Sequence, residues 1–406
     1  KYLIFLAKMH YLEVYSKFRV RKFMKLFKSL LVAPATLGLL APMTATANEV
    51  TISDFAPAEQ LAITNSRVDG LEARMNNFEA GSFSETTSAS FSVDFAIGAV
   101  DGLGITTTDK DNGKEALAAQ YGFQIDLTSS FTGEDELAIS IDAGNADSSG
   151  ALAEFDMNGP TGTDELTVDG VSYSFPIGDK TNVIVGAQGT DGSSAFTVAC
   201  TYGGPSNTLD DCGNVQSGFN AMSGSSLGAS YAVSDEFSVA VGYAGNGVDS
   251  SKGLMTAEGL DAVGVNAAYT TDAYGLSVTY SSVETAGVYN DASVAFNGYY
   301  SPEGFPSISA GYEFTDIGGA ATNVDEKTSF FVGLQFDEVG PGSAGLAVGT
   351  QGSITEGSDE ALMYEAYYSY PVNDNMTVVP LVYAKEKTSS TDEDETGVMV
   401  KTSFSF

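Results

Sequence analysis

The chain has 406 residues, with 53 Asp and Glu against 18 Lys and Arg, a formal net charge of -35, 43% hydrophobic residues and no Trp. Such acidity disfavours nucleic acid and phosphate-rich partners and attracts cations, while the apolar share is too high for a disordered acidic chain. The single histidine, His10, lies in a segment expected to be lost, so no Ser-His-Asp, Cys-His or His-metal constellation is available. No enzyme and no cofactor are expected.

Residues 1–23 match nothing downstream and precede Met24, so they are expected to be upstream sequence from a misplaced start. Met24-Lys-Leu-Phe-Lys28 is a charged start, Leu30 to Leu40 an apolar run and Ala45-Thr-Ala47 a small-residue cleavage site, which together make 24–47 a secretory signal peptide. The apolar run is shorter than the about 20 residues a spanning helix needs. Beyond residue 47 the chain carries 10 basic and 52 acidic residues, a net charge of -42. Residues 48–60 are expected to be a linker. In 61–80, Leu61, Val68, Leu71, Met75 and Phe78 stand at heptad a and d spacing, which predicts a short periplasmic coiled-coil helix. Asp69-Gly70 weakens it, and a lone amphipathic helix lying on the following domain remains the alternative.

From residue 84 to 406 the apolar period becomes two. Tyr274, Leu276, Val278 and Tyr280 alternate with Gly275, Ser277 and Thr279, and Phe237, Val239, Val241 and Tyr243 alternate with Ser238, Ala240 and Gly242. A soluble sandwich would carry Lys, Glu and Arg on its second face. Here that face is Gly, Ser, Ala, Thr and Asn, which suits a watery lumen. Short connections at Ser234-Asp235, Thr270 to Ala273, Pro302-Glu-Gly304 and Asn373-Asp374-Asn375 alternate with longer acidic or Gly-rich links at 245–260, 284–291, 315–327, 349–360 and 385–396. That alternation predicts an all-β, transmembrane antiparallel barrel with turns toward the periplasm and loops toward the outside. The raw count of strands is seventeen. A closed barrel with both ends periplasmic wants an even number, so sixteen are expected, with residues 151–157 assigned to a loop.

Between Val398 and Phe406, Val398, Val400, Thr402, Phe404 and Phe406 share one face and Lys401, Ser403 and Ser405 the other. Strands that face hydrocarbon must close into a barrel, and a last strand with Phe404 and Phe406 resembles the signal read by outer-membrane assembly machinery. The 20 Tyr and 24 Phe are expected to supply the interfacial girdles in place of Trp. Cys200 and Cys212 enclose an eleven-residue segment, and in an exported protein a disulfide is favoured over a metal site, because no histidine completes a ligand set.

The expected activity is passive diffusion of small hydrophilic solutes through a water-filled, negatively charged lumen, which lowers the energy of cations. Asp210 and Asp211 on the cystine segment and Glu365 are the candidate mouth and constriction acids, weighed against ordinary solvated loop tips. Tyr367 and Tyr383 would be slide positions if the solute were a sugar. A plugged barrel acting as an adhesin or phage receptor is the remaining alternative.

Arg67-Val-Asp-Gly-Leu-Glu-Ala-Arg74, Phe78-Glu-Ala and Phe83-Ser-Glu-Thr-Thr87 resemble the coiled-coil linker and first strand of cyanobacterial outer-membrane porins. Tyr370-Pro-Val-Asn-Asp-Asn-Met-Thr-Val-Val-Pro380 and the stretch from Thr396 to Phe406 resemble the end of the same family, which is related to carbohydrate-selective porins. The resemblance implies a homotrimeric, sixteen-stranded channel in the outer membrane for inorganic ions, iron among them, and for small organic solutes. Family members usually carry an S-layer-homology domain ahead of the coiled coil. Only Asn48 to Gln60 occupies that place here, which puts peptidoglycan anchoring in doubt.

Overall fold

The computed structural model describes residues 87–406 apart from 104–115, 147–149, 156, 158–163, 189–191, 220–223, 247–252, 257–258, 286–288, 320–324 and 389–392. The expected mis-start, signal peptide, linker and helix, with Leu61, Val68, Leu71, Met75 and Phe78, lie outside the described residues.

The first half of the wall comprises β1 (Thr87–Asp101), β2 (Ala118–Ser129), β3 (Glu136–Gly144), β4 (Thr167–Ile177), β5 (Thr181–Gln188), β6 (Ser225–Ala232), β7 (Phe237–Gly245) and β8 (Asp261–Thr270). The second half continues with β9 (Tyr274–Thr285), β10 (Tyr289–Tyr300), β11 (Ser307–Asp316), β12 (Glu326–Val339), β13 (Gly342–Thr350), β15 (Leu362–Asn373), β16 (Met376–Lys385) and β17 (Glu395–Ser405). Between β13 and β15 the two-residue β14 (Ile354–Thr355) pairs with Lys327 and Thr328 on β12 and adds nothing to the circumference. The other sixteen strands form a closed antiparallel ring, because β1 pairs with both β2 and β17. Closure leaves no row of unpaired backbone groups.

Residues 151–155 are a turn and an isolated bridge, as the even count required. The connections at one end are short, as at 178–180, 271–273 and 340–341, and most at the other are long. The link expected to be long over 284–291 shrinks to 286–288, since β9 and β10 pair as far as Thr285 and Tyr289. Thr and Tyr at these two ends favour strand over loop.

The period-two pattern sorts the two faces. Val241, Leu276 and Val278 lie bare on the outer face, whereas Ser277, Thr279 and Ser281 point inward and are buried. Tyr231, Tyr269, Tyr274, Tyr300 and Tyr370 ring the turn end of the outer face, and Phe314 and Tyr364 stand toward the loop end. Phe404 packs edge-on against Phe95 at 6.2 Å, and Phe406 stacks on Phe91 at 6.0 Å. The Phe91 and Phe406 backbones also exchange hydrogen bonds of 2.9 and 3.0 Å, so the final residue lies in the ladder.

Candidate functional site

The connection after β5 turns into the barrel as a strap. It enters through a short 3-10 turn, Gly192–Ala195, seated on the inner faces of β6 and β7, and the Phe196 that follows meets Gly264 on β8. Gly228, Gly242 and Gly264 are register partners on these three strands and make a floor without side chains. A Cβ on Gly242 would stand 2.3 Å from the Gly192 carbonyl oxygen, so only glycine lets the two backbones approach.

The outgoing limb then crosses the wall with alternate amides caught by inward side chains. Thr197 N donates to Asn266 Oδ1 (2.9 Å), Ala199 N to Ser277 Oγ (2.9 Å), Thr201 N to Ser309 Oγ (2.9 Å) and Gly203 N to Gln335 Oε1 (3.3 Å). These acceptors come from β8, β9, β11 and β12, so polar side chains replace the backbone ladder an extended segment would otherwise need. The returning limb is held in the same way. Asn297 Nδ2 donates to the Cys212 carbonyl (2.9 Å) and Ser329 Oγ to the Gly213 carbonyl (2.9 Å). Glu313, fully buried on β11, accepts from Gln216 N (2.8 Å), Ser217 N (2.8 Å) and Ser217 Oγ (2.6 Å). The Cys200–Cys212 disulfide joins the limbs across a Cα separation of 6.5 Å.

The strap carries Asp210, exposed, and Asp211, half-buried, at its turn. Both line a cleft of about 400 Å³ between the limbs with Asn214 and Ser193, and a second cleft of about 630 Å³ with Lys385 and Gln351. Glu365 faces inward but lies under the strap, where Tyr202 OH donates to its Oε1 at 2.5 Å. Tyr367 and Tyr383 also face inward and are covered, at 7% and 4% exposure, so neither side chain meets the open water. Tyr367 OH donates to Gln335 (2.6 Å), and its ring packs edge-on to Tyr202 at 5.9 Å.

A second inward segment was not foreseen beyond its assignment as a loop. Leu152, Phe155 and Met157 are buried at 0%, 1% and 4% exposure among Val100, Met363, Leu381 and Met399 from the wall. A signal for it exists in the unbroken apolar run from Val378 to Tyr383. A strand apolar on both faces is covered on both faces.

Charge in the lumen is unevenly divided. No Arg follows residue 74. Among the described residues the strand lysines are Lys327, Lys385 and Lys401, and they face Asp291 (3.5 Å), Glu154 and Asp94 (3.8 Å) respectively. Asp126, which accepts from Ser140 Oγ (2.7 Å) and Gln124 Nε2 (3.2 Å), joins Asp210, Asp211, Glu313 and Glu365 on the acidic side. Among the described residues no group of three or more His, Cys, Asp or Glu is placed to hold a metal ion, and no helix is long and apolar enough to cross a membrane.

No family model matches the chain. It is 25% identical to an uncharacterised protein of Nostoc sp. over 443 aligned positions, covering 89% of this chain and 74% of that one. Among solved structures it is similar in fold to OprB of Pseudomonas putida, at a TM-score of 0.55 and 12% identity over 79% of this chain and 94% of that chain. It is similar also to a loop-deletion mutant of OmpT, an outer membrane protein of Vibrio cholerae, at a TM-score of 0.52 and 10% identity over 79% of this chain and all of the other. An anion-selective porin from Comamonas acidovorans likewise matches at a TM-score of 0.52 and 12% identity, over 79% of this chain and 99% of that one. These likenesses agree with the fold seen here, a closed antiparallel β-barrel.

Proposed function

We propose that the chain is an outer-membrane porin that lets small hydrophilic solutes, inorganic cations above all, diffuse through a water-filled barrel. The observation that carries this reading is the sorting of the wall. Its outer face is an apolar band between aromatic rings, suited to hydrocarbon, and its inner face is polar and narrowed by a strap. Sixteen strands leave room for water where about eight would fill with side chains. The similar barrels include one described as an anion-selective porin. The balance of charge in this lumen is the opposite, and low-dielectric walls focus the field of Asp210, Asp211 and Asp126 on whatever passes. The bias toward cations is moderate, because salt at physiological strength screens charge over about 8 Å.

In this reading Asp210 and Asp211 act at the constriction, while Glu365 is an anchor for the strap. The barrel assembles as a homotrimer, delivered by outer-membrane assembly machinery that reads Phe404 and Phe406. Iron belongs among the cations carried. The buried positions of Tyr367 and Tyr383 count against a sugar slide. A second reading, a plugged barrel serving as an adhesin or phage receptor, draws on the two inward segments. Planar-bilayer recording of the purified protein separates them: stepwise currents in KCl are expected of a porin, and insertion without current would select the plug.

A further inference from the structure

Resting on the porin reading, we infer that the segment around Leu152 to Met157 is a second size-limiting element, which closes one sector of the ring and holds the strap down. The inward faces of β1, β15, β16 and β17 present Val100, Met363, Leu381 and Met399, all at 1% exposure or less. Left bare in a water-filled lumen, such a wall would lose roughly 25 cal/mol for each Å² exposed. Leu152, Phe155 and Met157 cover it from the inside, together with Tyr202 and Leu209 of the strap.

Polar contacts fix the cover in place at two points. Glu154 pairs with Lys385 on β16, and the Lys401 ammonium sits 5.5 Å from the centre of the Phe155 ring. The same Glu154 reaches the strap. Thr208 Oγ1 donates to its carboxylate (3.1 Å), Asn207 N donates to its carbonyl (3.0 Å), and Phe155 bridges to Ser206. One residue thus ties wall, cover and strap together, and neither inward segment can lift without the other losing a contact. The inward side chains of β2 to β4, Gln124, Asp126, Ser140, Ser172 and Ser174, are by contrast only half-buried. The passage is therefore narrower than the ring of sixteen strands would allow, with a size limit set by the Leu152 to Met157 cover as well as by the strap.

The test compares the full-length wild type with Leu152→Ser/Phe155→Ser and with Glu154→Gln, by single-channel conductance in KCl and by liposome swelling in glucose and sucrose. The double variant is expected to raise conductance at least about twofold and to speed swelling in both sugars. Glu154→Gln is expected to give a smaller rise with a noisier open level, and it decides alone if the double variant is not recovered as a β-sheet-rich barrel. Wild-type conductance and sugar rates in the folded variants would overturn the inference while leaving the porin reading intact. Absence of current from wild type and variants alike would overturn the porin reading itself, and the inference with it.

Discussion

The inner wall holds its two inward segments by different chemistry. On β8 to β12 the strap is fastened by directed hydrogen bonds that Asn266, Ser277, Ser309, Glu313 and Gln335 accept and that Asn297 and Ser329 donate. On β1 and β15 to β17 the second segment is held mainly by apolar burial around Leu381 and Met399. Hydrogen bonds demand one partner at one distance, so they fix the strap to a register. Apolar contact is non-directional and fixes the depth to which a segment sinks more than its register. A barrel wall can therefore place a constriction accurately on one side while filling space on the other.

The contrast can be broken first on its apolar side. Leu381→Ala removes a fully buried side chain and is expected to cost about 4 kcal/mol, read from thermal unfolding in detergent, while the strap's hydrogen-bonded limb stays protected from protease. The polar side breaks at Glu313. Its replacement by Ala strands the amides of Gln216 and Ser217 and is expected to cost about 3 kcal/mol, with proteolysis of the strap as the more sensitive readout. Gly311→Ala would bring a Cβ within 1.9 Å of the Cys212 carbonyl oxygen and push the returning limb off the wall, at about 2 kcal/mol. Its expected signature is a shift in conductance larger than its effect on unfolding. Equal effects on both readouts would contradict the separate roles assigned to strap and wall.

The smallest effect lies outside the lumen and serves as a control. Asp135, in the turn between β2 and β3, accepts from Thr132 Oγ1 (2.7 Å), Thr132 N (2.6 Å), Tyr173 OH (2.7 Å) and Ser130 Oγ (2.9 Å). These bonds, that from Thr132 foremost, hold its carboxyl well below the usual carboxylate range. The unfolded chain therefore binds this proton more readily. The turn's contribution is complete above the ordinary Asp value of about 3.9 and is lost progressively as pH falls below it. Asp135→Asn is expected to flatten the acid limb of thermal stability without altering conductance. An unchanged acid limb would remove Asp135 as its cause.

Much of the wall was legible in the sequence because a strand between oil and water repeats every second residue. The pairs around Val239 to Tyr243 and Leu276 to Tyr280 announce both the strand and its outer face. The inward direction of Glu365, Tyr367 and Tyr383 was legible for the same reason. Their burial was not, since it depends on segments far away in sequence, 163 residues for the Tyr202 to Glu365 contact. Nor does a row of Ser, Asn and Gly distinguish a wall facing water from one bonded to a strap, because both uses select small polar residues. Gly228, Gly242 and Gly264 carry that meaning only once register sets them side by side.

The central claim is that the lumen holds continuous water edged by an excess of carboxylates. Reversal potential of single channels in a KCl gradient tests it most directly. A potential that favours K⁺ over Cl⁻, weakening as salt rises, is the predicted result. A potential that favours Cl⁻, or barrels that insert and carry no current, would contradict it.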